Sequence, residues 1–198
     1  MNKNDMLKEF ISKYVLENWA QELSNINQRY YSRKEYIEKE LVSAFDSVCR
    51  KAAEFQKQGL KGDTQYICIS FLRTSIIENT SFYRIDAYDN RWFLDTKECY
   101  VMWDADFIFL SLFRQIEVLM DEKKQFNRMI TDMDIDCIKL AEALKYHILA
   151  VEFVRSMILE LIQCTAYKQM GKTSKICIMM GEFRDFSEVL YGDNEVKV

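Results

Sequence analysis

Apolar residues recur along the chain with two periods, and the points where the period changes mark out its elements. Over residues 5–24, Leu7, Phe10, Ile11, Tyr14, Val15 and Leu23 fall at helical spacing behind Asn2, Asn4 and Asp5, side chains suited to capping. A second helix is expected from a capping-box pattern, Ser32 with Glu35, followed by a stripe of Ile37, Leu41, Ala44, Val48, Ala52 and Phe55. Gly59 should end it. From Tyr66 the period becomes two. Runs at 66–77, 81–88, 91–94 and 98–104 are rich in β-branched and aromatic residues. Asn79-Thr80, Asp89-Asn90 and Asp95-Thr96-Lys97 between them suit tight turns. The spacing predicts an antiparallel β-meander over about 66–104.

Helical spacing returns through Phe109, Leu112, Phe113, Ile116, Leu119 and Met120, and again from Asp134 through Leu144, Ile148, Val151, Val154, Ile158 and Leu161. Beyond Ile148 this last helix is apolar nearly all round, so it must be buried on most sides. Run on to Tyr167 it would be about 50 Å long, and a second copy of the chain is expected to cover its excess, making a homodimer. A further strand is predicted at about 175–183, with a short helical or irregular tail after it. The order of helices, meander, helices and strand specifies an α+β fold, mostly helical, in a single domain spanning residues 1–198.

Composition removes several alternatives. The 198 residues include no proline and 5 glycines, which excludes polyproline segments and glycine-rich tethers. Apolar residues make up 49% and aromatic residues 14%, enough for a sizeable core and too much for a disordered chain. A net charge of −4 offers no general positive field, so nucleic acid is a disfavoured partner and no membrane is expected. Residues 28–61 carry a basic surplus, but the signs are interleaved as on a solvated helix face, while 81–106 and 182–198 are acidic. Cys49, Cys68, Cys99, Cys137, Cys164 and Cys177 form no CxxC, and the N-terminus is charged where a signal peptide would be apolar. Reduced thiols without disulfides and a cytoplasmic location are expected.

Segments that mimic functional motifs fail on context. Ala166-Tyr-Lys-Gln-Met-Gly-Lys-Thr173 resembles a phosphate loop, yet it lacks the first glycine and joins a helix to a β-like run, the reverse of the required order. Asp132, Asp134 and Asp136 alternate like a calcium loop, but Cys137 and Ala143 stand where glycine and glutamate are needed. Asp132 and Asp134 are read as helix caps. His147 is the single histidine, which excludes a zinc site built from several imidazoles. Neither metal nor cofactor is called for, and no catalytic signature is recognisable.

The meander is the most informative region. One face offers Ile67, Ile69, Phe71, Tyr83, Ile85, Ala87, Cys99, Val101 and Trp103 for packing beneath helices. The other offers Phe82, Arg84, Asp86 and Tyr88, then Tyr100, Met102 and Asp104, with Arg91 and Trp92 on the run between. Arginine beside tyrosine and tryptophan is the mixture of binding hot spots, although such pairs also steady an ordinary solvated sheet face. The expected function is an interaction or regulatory module that binds another protein, or itself, through Arg84, Asp86, Tyr88, Arg91, Trp92, Tyr100 and Asp104. The alternative is a small-ligand-binding protein or enzyme with a pocket between meander and helices, using Arg84, Asp86, Asp104 and Asp106.

Overall fold

The computed structural model describes residues 2–15, 19–126 and 129–192. Helix α1 (Lys3–Tyr14) starts at Asn2, whose side-chain oxygen accepts from the Asp5 amide at 2.9 Å. Helix α2 (Trp19–Ser32) follows, so the helical span expected at 5–24 is divided between two helices; its residues 16–18 lie outside the described residues. The capping box expected at Ser32 does not form. The Ser32 hydroxyl instead donates to the Arg29 carbonyl within the last turn of α2, and α3 (Lys34–Lys57) begins without a side-chain cap. Helix α3 buries Ile37, Leu41, Val48 and Ala52 of the expected stripe together with Phe45 and Cys49. The chain leaves it through Gly59 at φ 69°, a left-handed position that glycine occupies without cost.

Strands β1 (Thr64–Phe71), β2 (Phe82–Tyr88) and β3 (Tyr100–Asp104) form the antiparallel meander, with Ile69 opposite Ile85 and Ile85 opposite Val101. Two of the expected runs are shorter. The run at 66–77 stops at Phe71, and Arg73–Ile77 coil into the short helix α4, where the Ser75 hydroxyl accepts from the Phe82 amide. Arg91–Leu94 is not a strand: Trp92–Leu94 form a 3-10 turn, and Trp92 at φ 56° cannot lie in extended backbone.

Helices α5 (Asp106–Glu122) and α6 (Asp132–Leu161) then cross the sheet, followed by the short α7 (Thr165–Gln169). The α6 start is a true capping box. The Thr131 hydroxyl and amide both donate to the Asp134 carboxylate, and these bonds hold its pKa at about 2. Its 30 residues span about 45 Å, ending at Leu161 rather than running on to Tyr167.

Strand β4 (Lys172–Glu182) returns parallel to β1, and β5 (Ser187–Tyr191) folds back on it, giving the order β3-β2-β1-β4-β5. The sheet is therefore mixed, not a purely antiparallel meander with a separate strand. The segment expected to be a helical or irregular tail supplies an edge strand, and its residues 193–198 lie outside the described residues. Gly181 makes the β4–β5 hairpin close tightly, since a Cβ there would come within 2.2 Å of the Phe186 carbonyl oxygen.

The helices pack on one face of this sheet. Ile67, Ile69, Phe71, Tyr83, Ile85, Ala87, Cys99 and Trp103 are buried in one cluster with the helical residues, as the alternation predicts. Much of the apolar second half of α6, including Ala150, Val151, Val154, Met157 and Leu161, goes into this core. Beneath α6 the Tyr83 hydroxyl lies 2.9 Å from His147 Nδ1, and burial keeps the imidazole pKa below its usual value, against the pull of Glu182 and Glu188. The unfolded chain thus binds a proton on His147 more readily than the folded one. Stability from this site is complete above the ordinary histidine pKa of about 6.5 and declines as pH falls through it. We expect His147→Gln to flatten the stability curve between neutral and mildly acidic pH, measured by urea denaturation; an unchanged slope would contradict it.

Candidate functional site

Among the described residues no α-helix lies over the opposite face of the sheet. Its own small apolar cluster, Cys68, Cys177 and Met179 with Tyr66, Tyr88, Trp92 and Val189, contains no α-helical residue. Alternation along paired strands explains the arrangement, because Cys68 stands opposite Asp86 on one side and Met179 on the other, and Met179 opposite Val189.

A loop between β2 and β3 is fastened over one end of this face by charge. Lys61, just after α3, and Asp95, in the loop, form an ion pair in which neither side chain has any exposure. Asp95 also accepts from the amides of Asp89 and Lys97, each at 3.0 Å, so its carboxylate is surrounded by donors. The buried Asp89 accepts from the Arg91 amide at 2.9 Å and from its guanidinium at 2.7 Å. Burial works against the Asp89 charge, but these bonds outweigh it and keep its pKa below the usual carboxylate value. Held in this frame, Trp92 occupies a left-handed conformation costing about 1–2 kcal/mol and lays its ring on Tyr66, with centroids 3.9 Å apart. Phe93 meets Tyr88 edge-on at 5.4 Å.

The residues singled out in the sequence gather in two groups on or beside this face. Arg84 grips the buried Asp86 through Nε and Nη2 at 2.8–3.0 Å, reaches Glu98 at 2.7 Å and lies 3.9 Å from the Tyr100 ring centroid. Burial opposes its charge, but the bonds to Asp86 and Glu98 prevail and raise its pKa. Burial pushes the Asp86 carboxyl up, with Arg84 and Tyr88 pulling the other way. Tyr88 and Trp92 belong to the aromatic group with Tyr66 and Phe93, and Arg91 is spent on Asp89. Asp104 and Asp106 do not join Arg84 and Asp86: Asp104 accepts from the Ser81 hydroxyl at 2.5 Å, and Asp106 sits 3.7 Å from Arg33.

The other imitative motifs resolve into structure. Lys172 donates to the carbonyls of Tyr167 and Met170 at the end of α7, and Asp134 caps α6. No group of three or more His, Cys, Asp or Glu side chains placed to hold a metal occurs among the described residues. No helix among them is long and apolar enough to cross a membrane.

Sequence reasoning missed the far side of the same face. Between Trp92 and Phe93 on one wall and Arg184 and Phe186 on the other runs a groove of about 360 Å³, floored by Cys68, Ser70, Met179 and Val189. The signal was present in the β-branched and aromatic run Ser187–Tyr191, which closes a hairpin around Phe183–Phe186. No protein-family model, characterised protein or solved structure matches the chain, so fold and geometry alone define its class: an α+β protein with a half-covered mixed sheet.

Removing one partner of the buried pair strands the other in a dry site. We expect Lys61→Met to cost about 3–5 kcal/mol in urea denaturation, and Lys61→Met with Asp95→Leu to recover a large part of that loss. A single variant within about 0.5 kcal/mol of wild type would show the pair to be dispensable.

Proposed function

We propose that this protein is an interaction module that docks another protein on the helix-free face of its sheet. The observation that supports the reading most is the combination of exposed apolar side chains and an internally paired arginine. No α-helix among the described residues covers this face, and its β2–β3 half shows Phe82 and Met102 to solvent, each 38% exposed, around a cluster in which the Arg84 guanidinium is bonded to Asp86 and Glu98 and lies over Tyr100. A surface of aromatic and apolar side chains whose arginine is already paired loses less on desolvation than one with a bare cation, as interface centres require. Arg84, Asp86 and Tyr100 act here by holding the surface in shape. Phe82, Met102 and the exposed Phe93 and Leu94 supply the contact.

A photocrosslinking residue placed at Phe82 or Met102 is expected to give discrete adducts with one protein in the cell that makes the chain, and a control at the exposed Lys39 on α3 to give none. Adducts at Lys39 equal to those at Phe82 would overturn the choice of face.

The same reading includes self-association through α6. Ile148 and Leu159 are 62% and 69% exposed, and Glu152 and Arg155 between them bond to each other at 3.3 Å, leaving an apolar strip with its charges paired. Sedimentation equilibrium is expected to show a concentration-dependent dimer that Ile148→Glu with Leu159→Glu dissociates. A monomer at high micromolar concentration would remove this part.

A further inference from the structure

We propose that the groove between the 92–94 turn and the β4–β5 hairpin is a binding site for a small apolar carboxylate, with the hydrocarbon or aryl body on the sheet and the charge on Arg184. This goes beyond protein docking, which uses the neighbouring β2–β3 half of the face; Phe93 borders both, and the other residues of the groove are its own.

The cavity, about 360 Å³, lies at the lower end of the range for small-molecule pockets. Its floor carries no charge. Cys68 and Met179 are almost fully buried there, and burial pushes the Cys68 thiol pKa up, so the sulfur is neutral. The walls are aromatic: Trp92 and Phe93 on the loop side, and on the hairpin side Phe186, which is 78% exposed. Thioether, thiol and ring surfaces of this kind favour a flat or chain-like apolar body.

The conformations of the two walls point the same way. Among the described residues only three other than glycine have positive φ: Asn79, Trp92 and Arg184. Asparagine tolerates that region, so the two costly cases, at 56° and 57°, are both residues that line this groove. Such strain persists where the surroundings over-determine it, and it collects at ligand clamps. The Asp89 and Asp95 frame holds Trp92, and the tight approach at Gly181 holds the hairpin.

Charge selects the ligand's other end. The Arg184 guanidinium lies 5.5 Å from the Phe93 centroid and 5.2 Å from that of Phe183, with no carboxylate within 4 Å among the described residues. Two acids also line the groove: Glu182 is paired with Arg73, whose Nε donates to it at 2.7 Å, and Asp185 is turned back onto the hairpin, where it accepts from the Phe186 amide at 2.8 Å. Arg84 and Arg91 are spent on Asp86 and Asp89. Arg184 is thus the open donor at the mouth, and a planar guanidinium receives a carboxylate in two parallel hydrogen bonds.

The test is a titration of the full chain with 2-naphthoate and with decanoate, each against its neutral amide, followed by methyl NMR of methionine. Met179 reports the groove floor and Met102 the docking half. At least one carboxylate should shift Met179 and leave Met102 unmoved, binding about tenfold tighter than its amide. Arg184→Gln should remove that preference while leaving the amide's affinity unchanged, and Arg184→Lys should restore part of it. Phe82→Glu with Met102→Glu, which disables the docking half, should leave the Met179 shift intact, so loss of docking and loss of ligand are read separately. The proposal is overturned if neither carboxylate moves Met179 at millimolar concentration, if acid and amide bind equally, or if Arg184→Gln leaves the preference unchanged.

Discussion

The ion pair between Lys61 and Asp95 is the constraint on which the helix-free face depends. Two charges without solvent exposure are expensive to desolvate, and an apolar pair of similar volume would often be as stable or more so. Direction is what the apolar pair would lack. Asp95 offers both oxygens, one to the Asp89 amide and one to the Lys97 amide, while taking the ammonium of Lys61. A loop satisfying all three cannot slide, and a slide by one residue would leave a buried charge without partners. The loop between β2 and β3 is therefore fixed to the corner where α3 hands over to β1. Trp92 can then be kept in a left-handed conformation and pressed onto Tyr66.

The placement of β4 explains why that face is open. By entering parallel to β1, β4 makes β1 an inner strand, paired on both sides, and the connection between β3 and β4 has to carry α5 and α6 across the sheet. Helices α3, α5 and α6 share one core with the inward residues of the strands, and the largest apolar helix spends its surplus there. Nothing is left in the described chain to cover the second face, which builds a local cluster from sulfur and aromatic side chains. Exposure of Phe82, Phe93, Met102 and Phe186 follows from this topology.

Much of this was legible in the chain, and the boundary of legibility is physical. Alternation with period two assigned Ile69, Ile85 and Val101 to one face and Arg84, Tyr88 and Met102 to the other, because the side-chain period along a strand is local. The α6 cap was legible in part: Asp134 reads as a cap from its position, but the N-cap itself is Thr131, three residues before it, and Asp132 sits in the first turn paired with Lys123. Interactions closing over long separations leave no such trace. Lys61 and Asp95 are 34 residues apart, and Arg73 and Glu182 are 109 apart; each residue reads locally as a solvated charge or a turn former. The parallel seating of β4 beside β1 is of the same kind. Arg91–Leu94 misled for the opposite reason: its apolar content suits a strand, but the carboxylates at Asp89 and Asp95 capture the amides a strand would need.

The distribution of cations on this face separates structural from recognition charge. Arg84 and Arg91 have the residue type and neighbours of hot spots, yet both are folded onto buried carboxylates two positions away on their own segment. A charge so placed stabilises the surface and lowers the cost of covering it, because its field is cancelled before any partner arrives. Arg184 stands at a hairpin tip in a strained conformation, near two rings and with no carboxylate within 4 Å among the described residues. An arginine backed by aromatic faces keeps its planar donors directed outward. The sheet thus divides its open side in two: a half whose arginine is paired internally, and a concave half with Arg184 free of any ion pair among the described residues. An apolar surface whose arginine is already paired suits a macromolecule, and a concave apolar one with an unpaired arginine suits a small anion.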